Sequence, residues 1–287
     1  MSFMDQLTEI VREINSILWG PWCLIPILVG TGIFFTFKTR FVQIRHFGLA
    51  FKHVFGGFSL RGEKAGQHGM TSFQSLATAI AAQVGTGNLA GVATAMVMGG
   101  PGAIFWMWMA AFFGMATIFA EAVLAQIYRT RDNQGNITGG PSYYIAKGLG
   151  LKPLATLFSF LIIIALGFIG NMVQANSITT AFQSAFNIPN WISGIFIIFL
   201  AGFIFIGGIK RIASFAEKMV PFMAGVYVLG ALFIVISYYD MILPSLEAII
   251  IGAFNPEAAT GGVIGASIKE AIRYGVARGL FSNEAGM

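Results

Sequence analysis

The chain of 287 residues is 56% hydrophobic and only 10% charged, whereas soluble domains carry about a quarter charged residues; this excludes a water-soluble globular protein and identifies an integral membrane protein. Seventeen Lys plus Arg against twelve Asp plus Glu leave a formal net charge of +5, but in such a chain the placement of charge matters more than its sum, and nucleic acid is not an expected partner. A single cysteine, Cys23, has no intrachain partner for a disulfide.

In chain order, residues 1–16 form an acidic, amphipathic segment that lacks the basic start of a cleavable signal. A spanning helix needs roughly 20 apolar residues, rising 1.5 Å each, to cross about 30 Å of hydrocarbon. That length predicts spans over about 17–37, 71–98, 102–128, 153–182, 191–208 and 219–239, and a less apolar seventh from about 261 to the end. "GGPG" at 99–102 and "NIPN" at 187–190 supply turn chemistry between spans. The connections alternate in charge. Lys38, Arg40, Arg45, Lys52, Arg61 and Lys64 fall at 38–70, Arg129, Arg131, Lys147 and Lys152 between spans three and four, and Lys210, Arg211 and Lys218 between five and six. The connections 99–101, 183–190 and 240–260 have no Lys or Arg. By the positive-inside bias the basic loops face the cytoplasm of a cell inner (plasma) membrane protein, with the N-terminus and the 240–260 loop outside. The stretch "FVQIRHFGLAFKHVFGGF" of the 38–70 loop reads as an amphipathic segment lying on anionic lipid.

The second span carries "QVGTGN" at Gln83–Asn88, in the middle of a charge-free run. Glycine costs about 1 kcal/mol relative to alanine within a helix, and Gly85 and Gly87 lie two residues apart. In hydrocarbon, non-helical backbone persists only where it lines a protected cavity. A helix broken here exposes carbonyls around Ala81, Ala82 and Val84 at one end, which favour a cation, and amides around Thr86, Gly87 and Asn88 at the other, which favour a carboxylate. Close packing of another helix on the glycines is the simpler alternative. The last span repeats the theme in "YGVARGLFSNEAGM". Two interrupted segments five spans apart are the pattern of an inverted repeat of five plus five helices, each beginning with a broken one. Glu284 at membrane depth needs a partner or a polar cavity, and Arg278 is the nearest candidate; Lys269, Glu270 and Arg273 are expected at the outer interface.

Other polar residues read as follows. Asn171, Gln174 and Ser177 share one face of their span, either in a substrate vestibule, where Gln174 is the best candidate, or as interhelical hydrogen-bonding glue. Glu121, near the cytoplasmic end of its helix, is within reach of Arg129 or Arg131 for an interfacial ion pair. The "FWMWM" run at 105–109 reads as an interfacial aromatic belt, and "GGPSYY" at 139–144 opens a cytoplasmic surface helix. An enzyme is not expected. His46, His53 and His68 lack the spacing of a helical metal site, no serine sits in a G-x-S-x-G turn, and "GTGN" does not extend to a nucleotide fingerprint. A channel also uses broken helices, but two different interrupted segments within one chain fit a carrier better.

The motifs "GTGNLAGVATA", "GGPGAIFWMWMAAFFGMATIFAEA", "GGPSYYI" and "GLFSNEAGM" closely resemble the alanine or glycine:cation symporter family, over about residue 16 to the end. The resemblance implies an all-α, leucine-transporter-type inverted-repeat fold with one additional N-terminal transmembrane helix at 17–37, a first five-helix repeat over 71–239, and the start of the second at 261–287. It implies secondary active import of alanine or glycine coupled to Na+, with a proton-coupled carrier or an ion channel as alternatives. Carried over by motif, Gly85, Thr86, Gly87 and Asn88 resemble the unwound strip that holds the substrate carboxylate, and the backbone carbonyls of Ala81 and Val84 the sodium ligands. Phe281, Ser282 and Asn283 resemble the opposing strip, with Phe281 as a lid and the backbone of Ser282 and Asn283 toward the ammonium group. The family motif continues past "SNEAGM", so the chain reads as an N-terminal fragment that would not transport by itself.

Overall fold

The computed structural model describes residues 3–20, 23–55, 72–133, 135, 137–255 and 268–284. They form α1 (Phe3–Leu18), α2 (Leu24–Lys38), α3 (Val42–Arg45), α4 (Phe47–Phe55), α5 (Ser72–Gln83), a π-helical turn at Gly87–Gly91 continued by α6 (Val92–Gly99), and α7 (Gly102–Ile127). A short antiparallel hairpin follows, β1 (Thr130–Arg131) with β2 (Ile137–Thr138), pairing Thr130 with Thr138. Next come α8 (Pro141–Gly148), α9 (Lys152–Ile164), a π segment at Ala165–Gly170, α10 (Asn171–Phe186), α11 (Asn190–Phe205), α12 (Gly208–Ser237), α13 (Ile242–Phe254) and α14 (Ile268–Asn283).

Among the described residues, α7, the continuous run Lys152–Phe186 and the Arg211–Ser237 part of α12 are long and apolar enough to cross a bilayer. A fourth span results if Phe73–Gln83 and Gly87–Gly99 count as one helix bent by 51° at its break. Only 6% of the most apolar windows of Lys152–Phe186 and Arg211–Ser237 is buried, so these helices present hydrocarbon outward as lipid-embedded helices do. This is a multi-pass membrane protein. Two predicted spans are short, since α2 and α11, at 15 and 16 residues, rise only about 23 Å.

Several boundaries differ from expectation. The predicted span over 17–37 opens inside a separate amphipathic helix, α1, and its own helix starts at Leu24. The basic stretch at 208–218 is the first part of α12 rather than a loop, and α12 also carries Pro221 within it. The 240–260 connection contains α13, whose 13 residues are apolar but too few to register as a span. The turns at 99–102 and 187–190 stand as predicted, with Gly100 at φ 71° and Asn187 at φ 59°. α8 begins at "GGPSYY" with Pro141 in its first turn, where the missing N–H has no helical acceptor to lose.

The chain divides into two compact units. The first is Met1–Lys52, Gly87–Ala120 and Leu232–Met287; the second is His53–Thr86 and Glu121–Ala231. Small residues build the first unit. Ala271, Gly275 and Gly279 recur every four residues along α14, and a Cβ at Gly279 would sit 3.0 Å from that of Ala110 on α7, while one at Gly275 would collide with the Ala103 carbonyl. Such stripes let membrane helices approach until their backbones touch. Around them lie two buried clusters, Ala95, Ala103 and Met107, and Ala110, Val276 and Leu280. Trp106 donates its indole N–H to the Ala253 carbonyl at 3.2 Å, tying α7 to the end of α13, and Gln43 donates to Thr36 Oγ1 at 2.8 Å and to the Phe112 carbonyl at 3.3 Å. In the second unit Ala77, Ala216 and Val220 join α5 to α12, beside a 2.9 Å hydrogen bond from Gln74 Nε2 to Glu217 Oε2.

Candidate functional site

The "QVGTGN" stretch does break. α5 ends at Gln83, Val84 and Gly85 are bent, and helical structure resumes at Thr86 and in the π turn that follows from Gly87. The passage from one compact unit to the other falls at the Thr86–Gly87 peptide bond.

On the side of Ala81 to Thr86, the backbone N–H of Thr86 donates to Oε1 of Gln174, 88 positions later, at 3.3 Å. The Gln174 amide lies over Gly85, where a Cβ would come within 2.7 Å of Nε2. Gln174 reaches the break from α10, four residues after the π segment at Ala165–Gly170 ends; one wide turn rotates the residues that follow relative to a uniform helix. The predicted polar face is thus divided in use. Gln174 meets the break, while Asn171 donates back to the Gly167 carbonyl of its own helix at 3.1 Å. Of the two residues proposed as cation ligands, Ala81 belongs to the last turn of α5 and Val84 is bent out of it, with its N–H still donating to the Ile80 carbonyl at 2.8 Å.

On the side of Gly87 and Asn88, Gly87 is buried against α14. A Cβ there would sit 2.9 Å from Cδ1 of Phe281 and 3.3 Å from Oγ of Ser282. Ser282 is 7% exposed, and its hydroxyl has no hydrogen-bond partner among the described residues. A buried hydroxyl left unpaired costs about 1–3 kcal/mol. The predicted opposing strip is not unwound as expected. Phe281, Ser282 and Asn283 form the last turn of α14, Asn283 Nδ2 donates to the Gly279 carbonyl at 2.7 Å, and the turn closes at Glu284, whose φ of 52° is left-handed. A helix end carries its own orphan carbonyls, so polar backbone is presented here without unwinding. No ion pair forms between Arg278 and Glu284; Arg278 packs its side chain near Gly91 instead.

The residues weighed for an interfacial ion pair fall outside this site. Arg129 donates to Gln126 Oε1 and Arg131 to the Gly135 carbonyl, while Glu121 acts on Tyr144, whose hydroxyl is pushed up from its ordinary value first by burial and second by that carboxylate. Of the histidines, His68 lies outside the described residues and His46 caps α3. Sequence reasoning missed how the strip is capped: nothing in the spacing of Gln174 marked it as the acceptor for Thr86, and Ser282 was weighed for its backbone rather than its hydroxyl.

Comparison with known proteins bears on the whole described length. The chain is 46% identical over 283 residues to the sodium/alanine symporter AgcS of Methanococcus maripaludis, covering 97% of this chain and 61% of that protein. It is 44% identical over 280 residues to the putative sodium/proton-dependent alanine carrier protein YrbD of Bacillus subtilis, covering 98% and 55%, and 40% identical over 285 residues to the probable sodium/glutamine symporter GlnT of the same organism, covering 99% and 58%. The chain therefore spans a little over half the length of the curated relatives it matches. The model of the sodium:alanine symporter family matches residues 4–287, and with a broken, glycine-paired helix at its centre this chain belongs to that family.

Proposed function

We propose that the protein is a secondary active transporter that carries a small neutral amino acid, alanine or glycine, into the cell together with sodium by alternating access. The observation that carries the reading is the helix break between Gln83 and Gly87, in a segment otherwise apolar enough to span. In a bilayer, backbone released from a helix is tolerated only where it meets protein or a cavity, and a half-helix start favours an anionic group as its preceding half-helix end favours a cation.

In this reading the amides of Thr86 and Gly87 receive the substrate carboxylate. The Gln174 carboxamide oxygen at Thr86 is the group a carboxylate oxygen would replace, since both are planar acceptors of similar reach. Ser282 Oγ and the terminal carbonyls of α14 supply acceptors for the ammonium group, Asn88 and Asn283 frame the polar strip, and Phe281, 38% exposed, forms the lid. Sodium at the carbonyls of Ala81 and Val84 strengthens carboxylate binding by charge and by ordering the same strip, and linkage makes the effect reciprocal. The fold in this reading is the leucine-transporter-type inverted repeat, with α2 as an additional helix, α5 through α12 as the first repeat, and the N-terminus outside. The names of AgcS, YrbD and GlnT support an amino acid as cargo and a cation as driver.

The test is uptake of labelled alanine by the intact protein in proteoliposomes under an inward sodium gradient at fixed pH. Saturable uptake that vanishes when potassium replaces sodium is expected, as is an equal rise in alanine affinity with sodium and in sodium affinity with alanine. Binding of alanine that ignores sodium would overturn the coupling. Uptake driven by a proton gradient alone would reassign the driver to the proton, and ion current without amino acid would indicate a channel.

A further inference from the structure

Within the second compact unit, α8 and the first turns of α9 line a cavity of about 470 Å³, in the size range of pockets that hold a whole small molecule. Its walls change character along α9. Where the chain passes from α8 into α9 the lining is Lys147 and Lys152, with Ser142 and Tyr143 of α8 beside them. No Asp or Glu lines it among the described residues. The Lys147 ammonium rests 5.9 Å from the centre of the Tyr143 ring, and neither lysine forms an ion pair or a side-chain hydrogen bond among the described residues.

One to two turns further along α9 the wall is Thr156 and Ser159. Both hydroxyls donate back to their own helix, to the Lys152 carbonyl at 3.2 Å and the Ala155 carbonyl at 3.0 Å, so this part of the cavity asks no hydrogen bond of a ligand. Four residues beyond each, on the same helical face, stand Phe160 and Ile163, both exposed. Lys152 itself lies in the first turn of the apolar run Lys152–Phe186, the level at which hydrocarbon gives way to headgroups. Two cations at the start of a span, followed within about 10 Å of helix rise by bare apolar side chains, match an amphiphile with an anionic head. A free anion would use only the first part of the cavity.

We propose that this cavity binds an anionic phospholipid, with its phosphodiester between Lys147 and Lys152 and an acyl chain along Phe160 and Ile163. The leaflet is the cytoplasmic one in the orientation proposed above, while the site itself stands apart from the carrier reading. Titration of the intact protein in neutral detergent with phosphatidylglycerol, followed by native mass spectrometry, reads the first lipid bound. Phosphatidylcholine should bind about tenfold more weakly, and excess inorganic phosphate should displace none of the phosphatidylglycerol. Lys147→Gln combined with Lys152→Gln should weaken the first phosphatidylglycerol about tenfold or more, each lysine at an anionic surface contributing about fivefold. Lys218→Gln, which removes an exposed charge from α12 of the same unit, should change it less than about twofold. Equal affinity for phosphatidylcholine, displacement by phosphate, an unmoved double variant, or an equal loss in Lys218→Gln would each overturn the proposal. So would a drop in thermal stability of the double variant that is the same with and without phosphatidylglycerol, since the lysines would then pair with an acid of the protein. If the double variant does not insert, Ser159→Leu decides, because it fills the deeper part of the cavity and keeps both charges; binding about tenfold weaker is expected, and unchanged affinity overturns the site. Lipid binding is read without uptake, so a protein that carries no alanine would sink the carrier reading and leave these outcomes as they stand.

Discussion

The two polar interruptions, "GTGN" at 85–88 and "FSNE" at 281–284, look alike in sequence and differ in backbone. At the first, two glycines let the helix leave its hydrogen-bond ladder, and a side chain from α10 takes the freed Thr86 N–H. At the second, helical hydrogen bonding persists to the Glu284 N–H, which reaches the Leu280 carbonyl at 2.9 Å, and only the left-handed turn at Glu284 ends it. The first thus offers amides, as a helix start does, and the second offers carbonyls, as a helix end does. A zwitterion needs one of each.

That contrast can be broken from either side. The largest effect is expected at Gly87. A leucine there meets the Phe281 ring and Ser282 Oγ within about van der Waals distance at its Cβ alone, so Gly87→Leu should lower sodium-driven alanine uptake by about 100-fold or more while membrane insertion, read by yield and surface labelling, is retained; overpacking of about 1–3 kcal/mol is borne by the site. Near-normal uptake would remove Gly87 from the strip.

Next in size is Gln174→Glu. Its carboxylate would claim the Thr86 N–H as a charged acceptor, about twice as strong as a neutral one, and alanine KM should rise at least about tenfold. The sign of the pH effect follows: protonation turns the acid back into a neutral acceptor like glutamine, so KM should recover as pH falls. A KM independent of pH would show that Gln174 does not compete with substrate.

A smaller change is expected from Gly85→Ala. The added Cβ meets only the flexible end of Gln174, which moves aside at the loss of one hydrogen bond, about 1 kcal/mol or about fivefold in affinity. Isothermal titration with alanine reads this directly, and an effect as large as that of Gly87→Leu would mean that the backbone rather than Gln174 is constrained there. Smallest is Ser282→Ala on the opposite side. Removing a buried, unpartnered hydroxyl should leave thermal stability in detergent unchanged or raise it by up to about 1 kcal/mol, while alanine binding weakens about threefold. A marked loss of stability would show that the hydroxyl already has a structural partner.

Much of this was legible in order along the chain. Composition and the lengths of apolar runs located α7, the Lys152–Phe186 run and α12, because hydrocarbon thickness sets one length for every span. Gly85 and Gly87 announced the first break, since helix propensity is a local property. The second interruption comes later than read, at Glu284 rather than through Phe281–Asn283, because one glycine at 279 and a polar "SNE" do not outweigh the packing of Ala271, Gly275 and Gly279 against α7. α13 was missed for its brevity, and the amphipathic segment at 1–16 was given no helix of its own although its apolar residues already repeated at helical spacing.

What the order of residues decided alone is the solvent, the location of the long apolar helices and the place of the first rupture, all set by properties that each segment carries by itself. What required the assembled structure is which side chain caps Thr86, which hydroxyl stands beside Gly87, that Arg278 packs near Gly91 instead of pairing with Glu284, and that α14 stays wound to Asn283. Those outcomes depend on partners 88 or more positions away, and no local preference of either residue encodes the distance at which the other arrives.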